Sequence, residues 1–279
     1  MILFTGRGTS GSWQCRGVQL GQACGAKVKP NATLEDCKKA SVIVGVKRLR
    51  PETLQAIRQS KTPWILDIVD MYPQPACTAW SRLYAADWVR AKVKELKPDG
   101  LIWPTQRMQE DCAIDLPSIV LHHHYRPGIE INPIRETIQA VGYEGSPTYA
   151  QRWGGAVLKE CQSRGWGFLI NPPSLSSVDV VVCFRDTEHN GYVQQHYKSN
   201  VKLSNCHGSG TPFIGPRECG YTETATGQEQ WVYSLGDLGK AFDALECQAK
   251  RRHIQDAFIG RRYSVDRAAD DLRQFLSGF

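Results

Sequence analysis

The sequence predicts an α/β protein built as two Rossmann-like halves that face each other across a cleft, with a C-terminal helix packing back across both. Three observations carry this. The chain has 279 residues, more than a single hydrophobic core of ~100–150 residues usually serves. Short apolar runs alternate with polar, helix-like stretches, which is the pattern of parallel strands joined by crossover helices. The runs also fall into two series, separated by a stretch at 131–139 that contains Asn132-Pro133.

In the first series the runs are 2–5, a weaker one at 26–29, then 41–46, 64–69, 100–103 and 118–122. The second series has runs at 140–143, 167–170, 178–184, 211–214 and 231–234. The domains are therefore drawn as 1–135 and 136–279. From Asp237 onward there is no proline, and Ala, Leu, Arg and Asp dominate, so the tail reads as helices to the end. The sequence shows no internal repeat and no low-complexity tract.

No run approaches the ~20 apolar residues needed to cross a bilayer. The opening MILFTGRGTSGSW lacks the basic leader and long apolar core of a signal peptide. The ten cysteines are scattered without a C-x-x-C pair, so zinc ribbons and thioredoxin-type motifs are disfavoured and free thiols in a reducing compartment are expected. These readings point to a cytoplasmic monomer without stable membrane insertion. Charge is unevenly placed. Residues 1–135 hold 19 Lys and Arg against 12 Asp and Glu, a net +7, whereas 136–279 hold 15 against 16, a net −1.

The stretch 197–215, YKSNVKLSNCHGSGTPFIG, carries the most chemistry. Its spacing predicts a helix over 198–207 with Lys198, Lys202 and Asn205 on one face at i, i+4 and i+7. Leu203, Cys206 and Gly210 form a second stripe suited to packing. A helix start with two lysines facing a crevice suits a diphosphate, since free N–H groups and ammonium charges both favour an anion. Asn205, one turn deeper, is placed for a ribose hydroxyl. A solvated basic helix face fits the same spacing.

A polar helix that runs into Gly-Thr-Pro-Phe-Ile resembles the donor-site helix of GT-B glycosyltransferases. Many retaining members place two glutamates seven residues apart before a Cys-Gly-Thr-Pro turn, where this chain has Lys198 and Asn205. That difference leaves the stereochemical outcome of transfer open. The loop 215–223, GPRECGYTE, is similar to the turn after the family's donor strand, which brings in Tyr221 and Glu223. The loop 141–146, VGYEGS, is similar to the glycine-containing loop after the first donor-domain strand, which brings in Gly145. The resemblance also puts Gly8 and Ser10, in TGRGTSG after the first strand, opposite the donor diphosphate. It implies a nucleotide-sugar donor, UDP-linked, and no further cofactor.

Sugar transfer needs a stabilised leaving phosphate and a placed acceptor hydroxyl, with a general base if configuration inverts. Asp67 and Asp70 flank the end of PWILDIVD, where an open parallel sheet places its ligand crevice. Asp70 is the favoured base, with a turn or cap role as its competitor. His122, His123 and His124 follow PSIVL; neighbours in a strand alternate sides, so at most two share a ligand. His124 is the catalytic candidate among them, and no further spacing supplies a metal site.

The +7 of the first half points to an anionic acceptor. Lys47, Arg48 and Arg50 form a basic loop, Lys92, Lys94 and Lys97 close a helix, and Tyr72, with Trp13, Trp80, Tyr84 and Trp88, could stack on a base. The compact chain resembles phage glycosyltransferases that modify hydroxymethylated pyrimidines, which implies DNA as acceptor. A cell-surface glycan or lipid-linked acceptor explains the same basic half. Two rivals stay open. A nicotinamide-dependent dehydrogenase would use Gly6, Gly8 and Gly11, although the next acids, Glu35 and Asp36, come late. A non-catalytic nucleic-acid-binding module would leave the 198–223 stretch without a role.

Overall fold

Parallel strands that are covered on both faces read as apolar runs, and the runs in this sequence become the inner strands of two separate sheets. In a computed structural model, which describes residues 1–73 and 76–279, the first sheet contains β1 (Ile2–Thr5), β2 (Lys27–Val28), β3 (Val42–Val46), β4 (Trp64–Asp67), β5 (Gly100–Trp103) and β6 (Ser118–Val120). Their order is β2-β1-β3-β4-β5-β6. The second sheet contains β7 (Ala140–Tyr143), β8 (Gly167–Ile170), β9 (Val180–Val182), β10 (Phe213–Gly215) and β11 (Gln230–Trp231), ordered β11-β10-β9-β7-β8. The recorded ladders are parallel; Ile2 faces Val42 across one and Val141 faces Val180 across another. Edge strands such as β2, β8 and β11 are more exposed than the inner ones. The last two strands lie slightly off the expected 211–214 and 231–234.

Each half begins on an interior strand, one in from the edge of its sheet. The strand order reverses at β1 with β3 and again at β7 with β9, and a crevice opens at the carboxyl ends of such a pair. The loops after these four strands are therefore the ones placed to meet a ligand.

The helices of the first half are α1 (Leu20–Ala23), entered through a π-helical stretch at Trp13–Gln19, then α2 (Leu34–Lys38), α3 (Pro51–Ser60), α4 (Arg82–Leu96) and α5 (Gln106–Cys112). After β7 come α6 (Gln151–Ser163), α7 (Tyr192–His196), α8 (Val201–Ser209), α9 (Cys219–Thr222), α10 (Leu235–Glu246), α11 (Gln248–Gly260) and α12 (Val265–Leu276). Side chains fix several starts. Thr33 and Asp36 close a capping box on α2, Ser81 accepts from Tyr84 N on α4, and Ser234 with Asp237 boxes α10. Lys97 ends α4 in the left-handed region at φ 55°.

The helix expected over 198–207 starts later. Asn200 occupies the N-cap of α8, so Lys198 sits in the connection from α7 and not on the helix. Trp13, one of the stacking candidates, is buried in the π-helical stretch.

Alternation along the strands sends Leu3, Ile43, Leu66 and Leu101 to one face of the first sheet and Phe4, Val44, Ile65 and Ile102 to the other. Both faces recruit residues from late in the chain. Val193 and Tyr197 join the first core, while Ala268, Ala269, Leu272 and Leu276 of α12 complete the second. In contrast, α10 and α11 contribute Leu238, Phe242, Ile254 and Phe258 to the core of the second sheet. The helical tail therefore serves both halves, as expected.

The crossing segment is held tightly. A Cβ on Gly191 would lie 1.8 Å from the Thr78 carbonyl oxygen, so only glycine fits there. Tyr72 Oη donates to the Tyr197 carbonyl at 3.1 Å, and Thr105 Oγ1 donates to the His196 carbonyl at 3.0 Å. All ten cysteines are free, seven of them buried. Among the described residues no helix is long and apolar enough to cross a membrane.

Candidate active site

On the second-half side of the cleft, β7 ends in a loop that brings backbone to the crevice. Gly145 adopts φ 140°, a conformation that side-chain-bearing residues rarely take. Asn171 clasps it from both directions: Gly145 N donates to Asn171 Oδ1 at 2.8 Å, and Asn171 Nδ2 donates to the Gly145 carbonyl at 3.0 Å. Lys202, in the first turn of α8, lies 4.5 Å from the centre of the Tyr143 ring. A Cβ on Gly145 would stand 3.3 Å from the Lys202 ammonium. Lys198, Lys202 and Arg185, the last just beyond β9, line a cavity of about 190 Å³ together with Gly145, Ser146 and Thr78.

Asp70, three residues past β4 on the first half, pairs with a lysine of this cavity. Its carboxylate meets Lys47 Nζ at 2.7 Å and Lys198 Nζ at 3.4 Å, and it accepts from Ser12 Oγ at 3.2 Å. The Lys198 pair crosses between the two halves. Burial works to raise the Asp70 carboxyl, but the charges of Lys198 and Lys47 and the Lys47 and Ser12 hydrogen bonds outweigh it and hold the group below its ordinary range. Burial lowers Lys198, with Asp70 opposing and Arg185 reinforcing the shift. Lys202 is brought down to about 8, first by burial, while Cys183 opposes and Arg185 adds repulsion. A desolvated ammonium without a carboxylate in contact gains when an anion enters.

Lys47 also borders a second concavity. A groove of about 640 Å³ lies between α3 and α4 at the carboxyl end of the first sheet. Leu54, Leu66, Met71, Trp88 and Leu96 give it apolar walls, and Arg7, Lys47, Arg48 and Lys92 stand around it. The chain Lys47–Asp70–Lys198 thus joins the groove to the cavity.

The sequence candidates divide accordingly. Lys198, Lys202 and Gly145 converge on the cavity, Asp70 bridges to it, and Lys47 and Arg48 border the groove. Gly8, at φ 87°, packs on Pro30 after β1, and Ser10 Oγ accepts from Trp13 N, starting the turn that carries Ser12. Arg50 stands apart from the groove, beside Asn31 and Thr33 at the start of α3. Arg48 is anchored by bonds to the carbonyls of Met71 and Tyr72.

Other candidates turn out to be committed elsewhere. Tyr72 is buried, with Lys198 Nζ 5.6 Å from its ring centre, so it offers no open face for stacking. Asn205 uses both ends of its amide inside the protein, accepting from Arg126 N at 3.0 Å and donating to Glu144 at 3.1 Å. Tyr221 is buried edge-on to Phe213 in the core of the second sheet. Glu223 reaches into the first half, accepting from Gln106 N at 2.8 Å and Arg107 N at 3.1 Å and meeting His122 Nε2 at 2.9 Å. His124 is buried against Gln19 at 3.1 Å, and burial lowers it to about 4, so it stays neutral and away from the lysine cavity. Asp67, the alternative acid, is sealed in a buried pair with Arg16 at 2.8 Å.

Sequence reasoning missed Arg185, Ser12 and Asn171. Arg185 had a usable signal, because it follows the apolar run at 178–184 and so lies at the end of a switch-point strand. Ser12 and Asn171 had none; their partners Asp70 and Gly145 are distant in sequence.

This architecture recurs in solved structures. AviGT4, a glycosyltransferase involved in avilamycin A biosynthesis, superposes with a TM-score of 0.60 at 10% identity, covering 100% of this chain and 99% of that one. A glycosyltransferase from Rickettsia africae gives 0.59 at 9% identity, covering 99% and 98%. A UDP-GlcNAc 2-epimerase from Neisseria meningitidis, bound to UDP-GlcNAc, gives 0.55 at 10% identity, covering 100% of both chains. The chain has the GT-B fold. No protein-family model matches it, and no curated protein matches it by sequence. In the GT-B arrangement of this chain, the lysine cavity belongs to the C-terminal sheet and the larger groove to the N-terminal one.

Proposed function

We propose that the protein is a glycosyltransferase that holds the diphosphate of a nucleotide sugar with Lys198, Lys202 and Arg185 and transfers the sugar to a hydroxyl of an acceptor bound by the N-terminal half. One observation carries this reading. Three cations from two segments, Arg185 after β9 and Lys198 with Lys202 around the start of α8, converge on a cavity at the switch point of the second sheet, and a cross-cleft ion pair links them to a groove on the first.

The chemistry follows from charge. As the glycosidic bond to the diphosphate breaks, negative charge grows on the leaving oxygen, and preorganised ammonium and guanidinium groups stabilise that charge without reorganising. Gly145, having no side chain, lets the phosphates approach backbone beside Lys202. Asp70 is kept ionised by two lysines, which makes it a weak proton acceptor. It serves better to hold Lys47 and Lys198 in register and to orient the incoming hydroxyl. The acceptor is anionic in keeping with the basic first half, and hydroxymethylated DNA is one acceptor of that charge. A UDP-linked donor is the first to test.

The epimerase among the structural neighbours motivates a second reading, in which the same cavity isomerises a nucleotide sugar without an acceptor. One experiment separates the two. The protein is incubated with a panel of sugar nucleotides, with and without hydroxylated acceptors including hydroxymethylpyrimidine DNA, and products are resolved by mass spectrometry and NMR. Nucleoside diphosphate released in step with a glycosylated acceptor supports transfer. An isomerised sugar nucleotide of unchanged mass, formed without acceptor, replaces it with epimerisation. Binding of NAD with no binding of any sugar nucleotide overturns both.

A further inference from the structure

The groove on the N-terminal half has a lining that its charge alone does not explain. Leu54 from α3, Leu66 from β4 and Trp88 with Leu96 from α4 face one another across it, with Met71 beside them. Trp88 is only half-buried, and its ring leans on Trp80 at 5.4 Å between centroids. A water-filled concavity walled by leucine, methionine and tryptophan gains free energy when an apolar body displaces the water. At about 640 Å³ the space falls within the range of roughly 300–1,000 Å³ typical of small-molecule sites.

Cations surround this apolar slot. Arg48 is held by its hydrogen bonds to the Met71 and Tyr72 carbonyls at 3.0 and 2.8 Å, so its position is set before any ligand arrives. Lys92 sits 6.0 Å from the Trp88 ring centre and pairs at 2.6 Å with Glu95, which also lines the groove. Lys47, at the cleft end, is tied to Asp70. Duplex DNA is bound chiefly through its regularly spaced phosphates on polar, strongly basic surfaces. A concave slot with apolar walls does not match that demand, whereas a molecule with an apolar body and one anionic group matches both parts.

We propose that the groove binds an amphipathic anion, an acceptor whose hydrocarbon or aromatic body fills the slot while its phosphate or carboxylate meets Arg48 and the neighbouring cations. Only the word acceptor rests on the glycosyltransferase reading; the ligand class rests on the groove itself.

The test measures binding of decyl phosphate, kept below its micelle concentration, by calorimetry and Trp fluorescence, with inorganic phosphate, decanol and a hydroxymethylated DNA duplex as comparisons. Decyl phosphate should bind at least about tenfold more tightly than either phosphate or decanol. Leu54→Asp and Arg48→Glu should each weaken it by about tenfold or more, in proteins whose thermal unfolding confirms that they are folded. Equal affinity for decyl phosphate and inorganic phosphate overturns the proposal. So does a duplex that binds in an Arg48-dependent manner while Leu54→Asp leaves its binding intact and decyl phosphate fails to compete. Decyl phosphate binding without any sugar-nucleotide binding would leave this ligand class standing while removing the glycosyltransferase reading.

Discussion

Replacing Lys202 by arginine tests whether a desolvated ammonium grips the donor. Free Lys202 titrates at about 8, against an ordinary 10.5. At about pH 7.5 roughly three-quarters of the free protein carries the charge, and at about pH 9.5 only about 3% does, from the two-state titration. If a bound diphosphate restores the ordinary value, affinity for UDP falls about 20-fold across that interval, about 1.8 kcal/mol. Arginine stays charged throughout, so Lys202→Arg should lose this dependence. Calorimetric titration of UDP against both proteins provides the assay. The uracil ring's own ionisation enters both series equally, and their ratio isolates the lysine. The stability of the unliganded protein moves the opposite way. Between about 8 and 10.5 the unfolded chain keeps a proton that folded Lys202 has released, so stability rises with pH through that window. Parallel pH profiles for UDP binding by wild type and Lys202→Arg would refute the assignment.

Three further outcomes follow from the same geometry. Asp70→Asn removes the one anion bracketed by Lys47 and Lys198, so UDP should bind roughly fivefold more tightly, about 1 kcal/mol for a lost charge at a partly buried site, while sugar transfer slows; calorimetry and a turnover assay read the two effects. Gly191→Ala forces a Cβ against the Thr78 carbonyl and should cost about 1–3 kcal/mol of stability, measured by urea unfolding. Leu272→Ala opens a cavity where α12 meets the first sheet and should cost about 2–5 kcal/mol, visible as a lower thermal midpoint.

Strands were readable because a parallel sheet is dry on both faces, and a run such as 42–46 has no other way to hide five apolar residues. The lysine pair was readable from the polar stretch that ends in Gly-Thr-Pro, even though Lys198 lies before α8 and not on it. Burial was harder to read. Tyr72 reads as a stacking residue in the sequence and Tyr221 enters with the resemblance; an aromatic with a hydroxyl suits a core as well as a ligand, and only the neighbours decide. Glu223 and Asn205 looked available because their partners, Gln106, Arg107, Arg126 and Glu144, stand about 60 to 117 positions away. The apolar lining of the groove was invisible for the same reason. The sequence displays its charges, while the leucines of α3 and β4 and the Trp88 of α4 come together only on folding.

By itself, then, the sequence determined the two parallel sheets, the uneven charge and a cationic stretch beside a tight turn, since each is written in residues that are neighbours along the chain. Tertiary structure alone decided that the 193–197 segment joins the first core, that Asp70 joins the two halves, and that Arg185 completes the lysine cavity. Periodicity and composition are local properties of a chain. Burial and ion pairing depend on which distant segments the fold brings within a few ångströms.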